Sequence, residues 1–279
     1  MSQPTDPHDA HAASHHHGDA AAASGNLADS AGQPWKGRSF EPNDHSSDDG
    51  SAPEHLAEAL RRYRAREVTE VEVVDAFRSS RLLIPLVAHA GEEGKTEAGL
   101  KVDKTQELSI VTVQGPDGRT VMPVFSSVAA MSRWNPTSRP VPADGVRVAL
   151  AAASEHTDLV VLDPVSDTEF AIRRPAVWAI AQSLEWMPSF TDPEVLESFR
   201  RSVSSELAVT DVHLRAGDPD ARLAGPEVVV TLELLAGLTR PELDAVLARL
   251  AQRWAADDVI ATRVDSLAVK LSSTPLDEH

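Results

Sequence analysis

The sequence contains no cysteine, which excludes disulfides, thiolate catalysis and cysteine-ligated zinc or iron–sulfur sites. It also lacks long apolar runs. The longest run, near residues 82–88, is far shorter than the roughly 20 residues that a helix needs to span a bilayer. The opening MSQPTDPHDA has no basic segment followed by an apolar one, so we expect no signal peptide. By elimination we expect a cytoplasmic protein.

Positive charge is scarce in this chain. There are 26 lysines and arginines against 43 aspartates and glutamates, and the formal net charge is −17. A surface this acidic repels phosphate backbones, which disfavours a general nucleic-acid binder. We therefore expect no nucleic-acid partner. The lack of a long apolar segment predicts no membrane partner, and the lack of a catalytic or metal-binding set favours an unidentified protein partner.

Residues 1–50 have the composition of a disordered tail. Ala, Ser, Gly, Asp, His and Pro dominate, and the large apolar side chains are Leu27, Trp35 and Phe40. So little apolar area cannot offset about 1–2 kcal/mol of backbone entropy per ordered residue. The sequence therefore predicts an acidic, histidine- and alanine-rich disordered tail.

The rest of the chain is long enough for two α+β domains. We place the boundary near residue 190, because Asp192 and Pro193 are typical of a helix N-cap and first helical position. The predicted domains are residues 51–190 and residues 191–279, each a small mixed α/β sandwich.

Several signals locate elements in the first predicted domain. Thr69 and Glu72 have the spacing of a capping box and predict the start of a helix. The apolar run at residues 82–88 predicts a buried strand, which Pro85 should place at a sheet edge or a bulge. A turn at residues 115–118 predicts a hairpin.

The second predicted domain has the element order α-β-β-α-β. A helix begins at Pro193, and alternating apolar residues predict strands at about 208–215 and 228–235. Thr239 and Glu242 form a second capping box, before a helix and a last strand. This order predicts an antiparallel sheet with helices on one face.

Several short motifs stand out in the first domain: Arg81-Leu82-Leu83-Ile84-Pro85, Pro123-Val124-Phe125-Ser126-Ser127, Trp134, Arg139-Pro140-Val141-Pro142, Leu162-Asp163-Pro164 and Arg174-Pro175-Ala176-Val177-Trp178. In order and spacing they resemble actinobacterial members of the SseB, or enhanced serine sensitivity, family. The resemblance covers the family's N-terminal domain over about residues 54–185 and, more weakly, a C-terminal domain after residue 193. Ser126 stands where the family usually has threonine.

The resemblance implies a fold and no defined chemistry, because the family has no agreed biochemical function. Some members have been labelled rhodanese-like. Rhodanese chemistry needs a nucleophilic cysteine to hold the persulfide, and this chain has none.

Residues 91–96 end in Gly-Lys-Thr and resemble a phosphate-binding loop. That motif needs a glycine at the position of His89, and Glu92 and Glu93 would face phosphate with negative charge. A flexible polar loop is the better interpretation.

A histidine-rich stretch in the tail offers imidazole ligands for a divalent metal ion. Its low-complexity setting supplies no second set of residues to orient the rings. We expect adventitious metal affinity there and no functional metal site. The histidines are His8, His11, His15, His16 and His17.

Asp163, Arg173 and Arg174 lie at predicted strand ends and are the candidate contacts for a ligand or partner. An arginine there offers a bidentate fork for a carboxylate or phosphate. The alternative interpretation is a structural turn with an Asp-capped loop, which we favour because no nucleophile or base is nearby.

Other candidate residues have structural interpretations. Ser126 and Ser127 have no recognisable histidine and aspartate partners, and a helix N-cap explains a serine there. Trp134 and Trp178 lie on apolar helical faces, so we expect both rings in the core. For Trp178 we expect burial between its helix and the sheet.

These observations favour a non-enzymatic binding or adaptor protein, with no catalytic residue, cofactor or metal. The alternative is a small-molecule module that senses or transforms an amino acid or an anion, with its pocket near Asp163, Arg173 and Arg174.

Overall fold

A computed structural model of the protein describes residues 48–89, 107–155, 157 and 159–273. The phosphate-loop-like segment at residues 91–96, the histidine-rich stretch and almost all of the predicted tail lie outside these residues. The described residues belong to one compact unit, and the predicted division near residue 190 stays a prediction.

Helices and strands alternate through the described residues in an α+β arrangement, which confirms the predicted fold class. None of these helices has the length and apolar character needed to cross a membrane. The helices are α1 (Glu54–Arg64), α2 (Glu70–Arg78), α3 (Val128–Trp134), α4 (Gly145–Ser154), α5 (Arg174–Ala181), α6 (Pro193–Val203), α7 (Arg240–Ala256) and α8 (Asp258–Arg263). The strands are β1 (Arg81–His89), β2 (Glu107–Ile110), β3 (Val113–Gln114), β4 (Thr120–Val124), β5 (Arg139–Asp144), β6 (Leu159–Leu162), β7 (Phe170–Ile172), β8 (Val209–Ala216), β9 (Val228–Leu234) and β10 (Leu267–Ser273).

Two sheets come from the first part of the chain. In one, β1 lies between the antiparallel strands β2 and β5. In the other, the order is β3-β4-β6-β7, with β4 parallel to β6. Leu83 of β1 and Phe125 exchange backbone hydrogen bonds of 2.8 and 3.0 Å, which join the two sheets. The predicted hairpin at residues 115–118 is the β3–β4 connection.

Pro85 lies in the central strand of its sheet, so its predicted place at an edge or bulge is wrong. On one side it faces Pro140 of β5. On its other side β1 changes partner, because Phe125 pairs with Leu83 and the register with β2 begins at Leu86. The missing N–H of proline therefore falls between two partners and interrupts neither ladder.

The core of these sheets is filled from four helices, α1, α2, α4 and α5. Leu56, Phe77 and Val148 come from three of the helices and meet Leu82 and Leu162 from the strands, all at most 1% exposed. Burying one such side chain contributes about 1.5–3 kcal/mol. The predicted capping box of Thr69 and Glu72 is present and starts α2.

The third sheet has the order β10-β9-β8. β8 and β9 are antiparallel, but β10 runs parallel to β9, so the predicted all-antiparallel sheet is wrong. The reason is the connection: α7 and the unpredicted short helix α8 form a crossover between β9 and β10. A helical crossover returns the chain to the same end of the sheet, and the next strand is then parallel.

The connection between β8 and β9 reaches into the core of the first two sheets. Ala221 and Leu223 are buried there among residues of the earlier sequence. The carbonyl oxygen of Ala221 accepts a 2.7 Å hydrogen bond from the backbone N–H of Ala171 in β7. The core of the first two sheets therefore includes Ala221 and Leu223, which come from the part of the chain that forms the third sheet.

We predict that Gly145→Ala destabilises the protein by about 1–3 kcal/mol, the usual cost of overpacking. A Cβ at Gly145 would lie 2.3 Å from the carbonyl oxygen of Phe77 and 2.8 Å from the Cα of Arg78. Both are backbone atoms, so α2 and α4 would have to separate. Urea denaturation measures the change.

The control for this prediction is Leu150→Ala in the same helix. Its side chain is 53% exposed, so the free energy of unfolding should change little. Equal stabilities for Gly145→Ala and the parent protein would contradict the close approach of α2 and α4.

Candidate functional site

Asp163 is buried and engaged in a structural turn. Its carboxylate accepts hydrogen bonds from the backbone N–H of Ser126 at 2.8 Å and from the Ser126 hydroxyl at 2.6 Å. The hydroxyl of Thr168 donates a third, at 3.0 Å. These bonds hold Asp163 at φ +46°, a left-handed conformation that is uncommon without glycine. With its oxygens used this way, Asp163 does not face a pocket.

Arg173 is buried at the N-terminus of α5 and is held by the third sheet. It donates to Asp218 at 2.7 Å and to Asp265 at 3.1 Å, and to the carbonyl oxygen of Gly225 at 2.9 Å. The side chains of Arg173, Asp218 and Asp265 are at most 8% exposed. The sequence suggested the Arg173 guanidinium as a contact for a ligand. In the structure it is paired with the carboxylates of Asp218 and Asp265.

Arg174 has a different environment from Arg173. Its guanidinium donates to the carbonyl oxygens of Ala261 and Val264, at 3.0 and 2.7 Å, where α8 ends. It also lies over the ring of Trp178, 5.4 Å from the ring centroid. Among the described residues, Asp163, Arg173 and Arg174 share no hydrogen bond with one another, so the structure does not bring them together as one pocket.

Trp178 is 42% exposed, so its predicted burial in the core is wrong. In α5 the buried positions include Ala176, Val177 and Ile180. Trp178 lies about 100° around the helix from Val177, given 3.6 residues per turn, which turns its ring toward the surface. The ring instead makes a cation–π contact with the guanidinium of Arg174. Trp134 is only partly buried and packs against Phe125.

The exposed face of Trp178 forms part of an open groove of about 690 Å³. The groove lies between α2, α5, the segment at residues 182–187, the start of α6 and the end of α8. Its lining residues are Val71, Asp75, Pro175, Trp178, Ala179, Gln182, Leu184, Glu185, Trp186, Met187, Asp192, Pro193, Glu194, Thr262 and Arg263.

Large apolar side chains are unusually exposed in this groove. Leu184 is 55% exposed and Met187 is 49% exposed, next to the ring of Trp178. The chain leaves α5 at this point and crosses to α6 without regular structure. In this segment Leu184 and Met187 are exposed, whereas Trp186 packs against the core of the first two sheets. A concave apolar surface of this kind is typical of a binding site.

The groove has an acidic rim. Its lining includes the carboxylates of Asp75, Glu185, Asp192 and Glu194 and one guanidinium, that of Arg263. Arg263 is already paired with Asp192 at 2.9 Å and with Glu194 at 2.6 Å. Asp75 lies 4.0 Å from Arg78, which is outside the lining. Among the lining residues, carboxylates therefore outnumber guanidiniums.

Sequence reasoning missed this groove, although one signal was present. Trp186-Met187-Pro188 lies just before the predicted domain boundary near residue 190. Large apolar residues in a connecting segment, rather than in a helix or strand, point to a surface that needs a partner. Leu184 follows α5 and does not belong to its buried face.

The fold and groove define an α+β protein with an acid-rimmed apolar groove on its surface. Residues 56–179 match the family model described as SseB protein N-terminal domain. This part of the chain is thus an SseB N-terminal domain, as its motifs indicated, and the actinobacterial type stays a prediction. The match ends inside α5, so the groove's connecting segment at residues 182–187 lies beyond it. No curated protein and no solved structure matches the chain.

We predict that Arg173→Met destabilises the protein by about 3–5 kcal/mol, because it leaves the buried carboxylate of Asp218 without its cation. Arg174→Met is the matched control. Arg174 hydrogen-bonds only backbone oxygens at the rim of the fold, so its loss should cost about 1 kcal/mol or less. Urea denaturation at neutral pH compares them. If both variants lost the same free energy of unfolding, the buried ion pairs of Arg173 would not be the main contact that holds the third sheet in place.

Proposed function

We propose that this chain is a non-enzymatic binding protein that holds a segment of another protein in the groove. The observation that supports this proposal is the exposure of Trp178, Leu184 and Met187 together in one concave surface. Tryptophan at the centre of an apolar pocket is the residue type that most often carries binding energy at protein interfaces.

The charge of the rim favours one chemistry for the partner. Apolar side chains would enter the groove, and lysines or arginines on either side would meet Asp75 and Glu185. Opposite charges at the rim of an interface mainly accelerate association and reject partners of the wrong sign. We therefore propose a partner segment that is apolar at its centre and basic at its flanks.

The composition of the groove supports binding over catalysis. Its lining contains no histidine or cysteine, and Thr262 is the hydroxyl side chain. Acyl or phosphoryl transfer by a protein side chain needs a nucleophile paired with a base. Within the described ranges no group of His, Cys, Asp or Glu is placed to hold a metal ion.

The alternative, a small-molecule module at Asp163, Arg173 and Arg174, has less support. All three side chains are engaged with the protein itself. A second groove of about 780 Å³ borders the loop after Asp163, but its lining includes Val165 and Arg222 and not Asp163. A thermal-shift screen of amino acids and anions tests this alternative directly.

Peptide binding tests the proposed function. The probe is a short synthetic peptide of leucine and lysine, patterned as an amphipathic helix and followed by tryptophan fluorescence and calorimetry. We predict that Trp178→Ala weakens binding about thirtyfold, or about 2 kcal/mol. The melting temperature should hardly change, because Trp178 is 42% exposed.

Two controls accompany this measurement. Val165→Ala removes another apolar side chain, 88% exposed and outside the groove, and should leave binding unchanged. A peptide with glutamate in place of lysine should bind poorly, because the rim repels it. A large loss of stability in Trp178→Ala, or equal binding of the two peptides, would contradict the proposal.

A further inference from the structure

The third sheet has an edge strand, β10, with an open side. β10 pairs with β9 on one side, and the described residues place no strand on its other side. Every residue of β10 after Leu267 is exposed. The open side of an edge strand presents backbone N–H and C=O groups that can pair with a further strand.

The other sheet edges in the described ranges carry features that oppose such pairing. β2, β3 and β7 have only four, two and three residues. β5 contains Pro140 and Pro142, which donate no backbone hydrogen bond. β8 has an irregular register between Val209 and Asp211, and it carries the charge of Arg215. Short strands, prolines, bulges and charges are the ordinary protections of a sheet edge.

β10 has little of this protection. It has seven residues and no proline, and its register with β9 is unbroken from Leu267 to Ser273. Lys270 is the one charged side chain in the strand. A long, regular edge strand with apolar side chains is the kind that pairs with another strand.

The backbone of β10 shows which residues face the open side. The N–H of Val228 in β9 donates a 3.1 Å hydrogen bond to the carbonyl oxygen of Ser266. Neighbouring residues of a strand direct these groups to opposite sides, so residue 266 and every second residue after it face β9. Leu267, Val269 and Leu271 therefore direct their N–H and C=O groups to the open side.

These three residues form an apolar row on the helix-covered face of the sheet. Their neighbours in β9 are Val228, Val230 and Leu232, which are fully buried in the core beneath the helices. In the apolar row, however, Val269 is 38% exposed and Leu271 is 40% exposed. The helical layer thus covers β9 and leaves the outer part of β10 open.

An open hollow of about 400 Å³ lies at the start of the apolar row. Leu267 lines it together with Ala251, Trp254 and Ala255 of α7. The small side chains of the two alanines leave space between α7 and β10. The hollow therefore offers an apolar side chain a place beside Leu267.

We propose that a second copy of this chain pairs with the open side of β10, antiparallel and with the two Val269 residues opposite each other. Leu267 of each copy then opposes Leu271 of the other. Leu271 of the second copy reaches the hollow beside Leu267, and the same contact occurs twice. The groove and the hollow share no lining residue, so this dimer is independent of the proposed binding function.

The sequence of β10 favours a second copy as the occupant. The apolar row reads Leu-Val-Leu and is symmetric about Val269, as a two-fold interface requires. A two-fold axis at Lys270 would instead place two ammonium groups directly opposite each other, which is unfavourable. β10 has no carboxylate, although the chain has a net charge of −17. This edge therefore adds no repulsion between two acidic copies.

Sedimentation velocity of the full chain over a range of concentrations tests the dimer. The parent chain should show a reversible monomer–dimer equilibrium. Val269→Lys should weaken it at least about tenfold, because two like charges would lie directly opposite each other. Val165→Lys is the matched control, since Val165 is 88% exposed and far from β10 in sequence, and it should dimerise like the parent. Both variants should keep the circular dichroism spectrum of the parent.

Cysteine crosslinking tests the register. The chain has no cysteine of its own, so a single introduced cysteine reports on one position. Val269→Cys should form a disulfide-linked dimer with oxidised glutathione, because the Cα atoms of a hydrogen-bonded antiparallel pair lie about 5.5 Å apart. In the controls Ala268→Cys and Lys270→Cys, the two cysteines are diagonal neighbours about 7–8 Å apart. That separation is too long for a disulfide, so these variants should stay uncrosslinked.

Added salt separates an apolar interface from an ionic one. Salt screens the repulsion between two acidic chains, so the dimer fraction should rise with ionic strength. A dimer fraction that falls with salt would show that ion pairs hold the copies together and would overturn the proposed contact.

The remaining outcomes would also overturn the proposal. A parent chain that stays monomeric up to about millimolar concentration would exclude the dimer. In that case, a loss of stability in Val269→Lys would indicate that another segment of the same chain covers β10, and unchanged stability would leave the edge to a different protein. Crosslinking at residue 268 or 270 in place of residue 269 would contradict the register. A dimer that Val269→Lys does not weaken would place the interface elsewhere.

Discussion

The arrangement of this protein depends on Arg173. It follows β7, is the N-cap residue of α5 and donates hydrogen bonds to Asp218 and Asp265, which lie in connections of the third sheet. A buried guanidinium is tolerated only when its charge and donors are satisfied, so these contacts fix where the third sheet can lie. The buried residues Ala221 and Leu223 reinforce the same placement by apolar contact.

The groove is a consequence of that placement. With the third sheet held at Arg173, the chain between α5 and α6 must cross the gap, and it does so with Leu184 and Met187 exposed. The ring of Trp178 lies in the same gap under Arg174. The exposed apolar groove and the buried ion pairs of Arg173 therefore both lie where α5 meets the third sheet.

Local signals in the sequence predicted the elements well. Both capping boxes, at Thr69 and Thr239, and the Asp192-Pro193 helix start are present, because a cap depends on residues within one turn. Predictions that depended on neighbours failed. The sequence predicts Pro85 at an edge or a bulge, although a change of partner strand accommodates it in a central strand. Trp178 was placed in the core from its apolar surroundings, although its side of α5 faces a gap.

By itself, the sequence determined the α+β class, the SseB N-terminal domain, the helix starts and the chemistry that a chain without cysteine cannot perform. The tertiary structure decided what Asp163, Arg173 and Arg174 do. Their partners lie up to tens of residues away, as with Arg173 and Asp265, and no spacing rule connects them. Whether a charged side chain binds a ligand or a distant carboxylate depends on which surfaces meet, and burial then determines its pKa. The groove likewise exists only where separate elements come together.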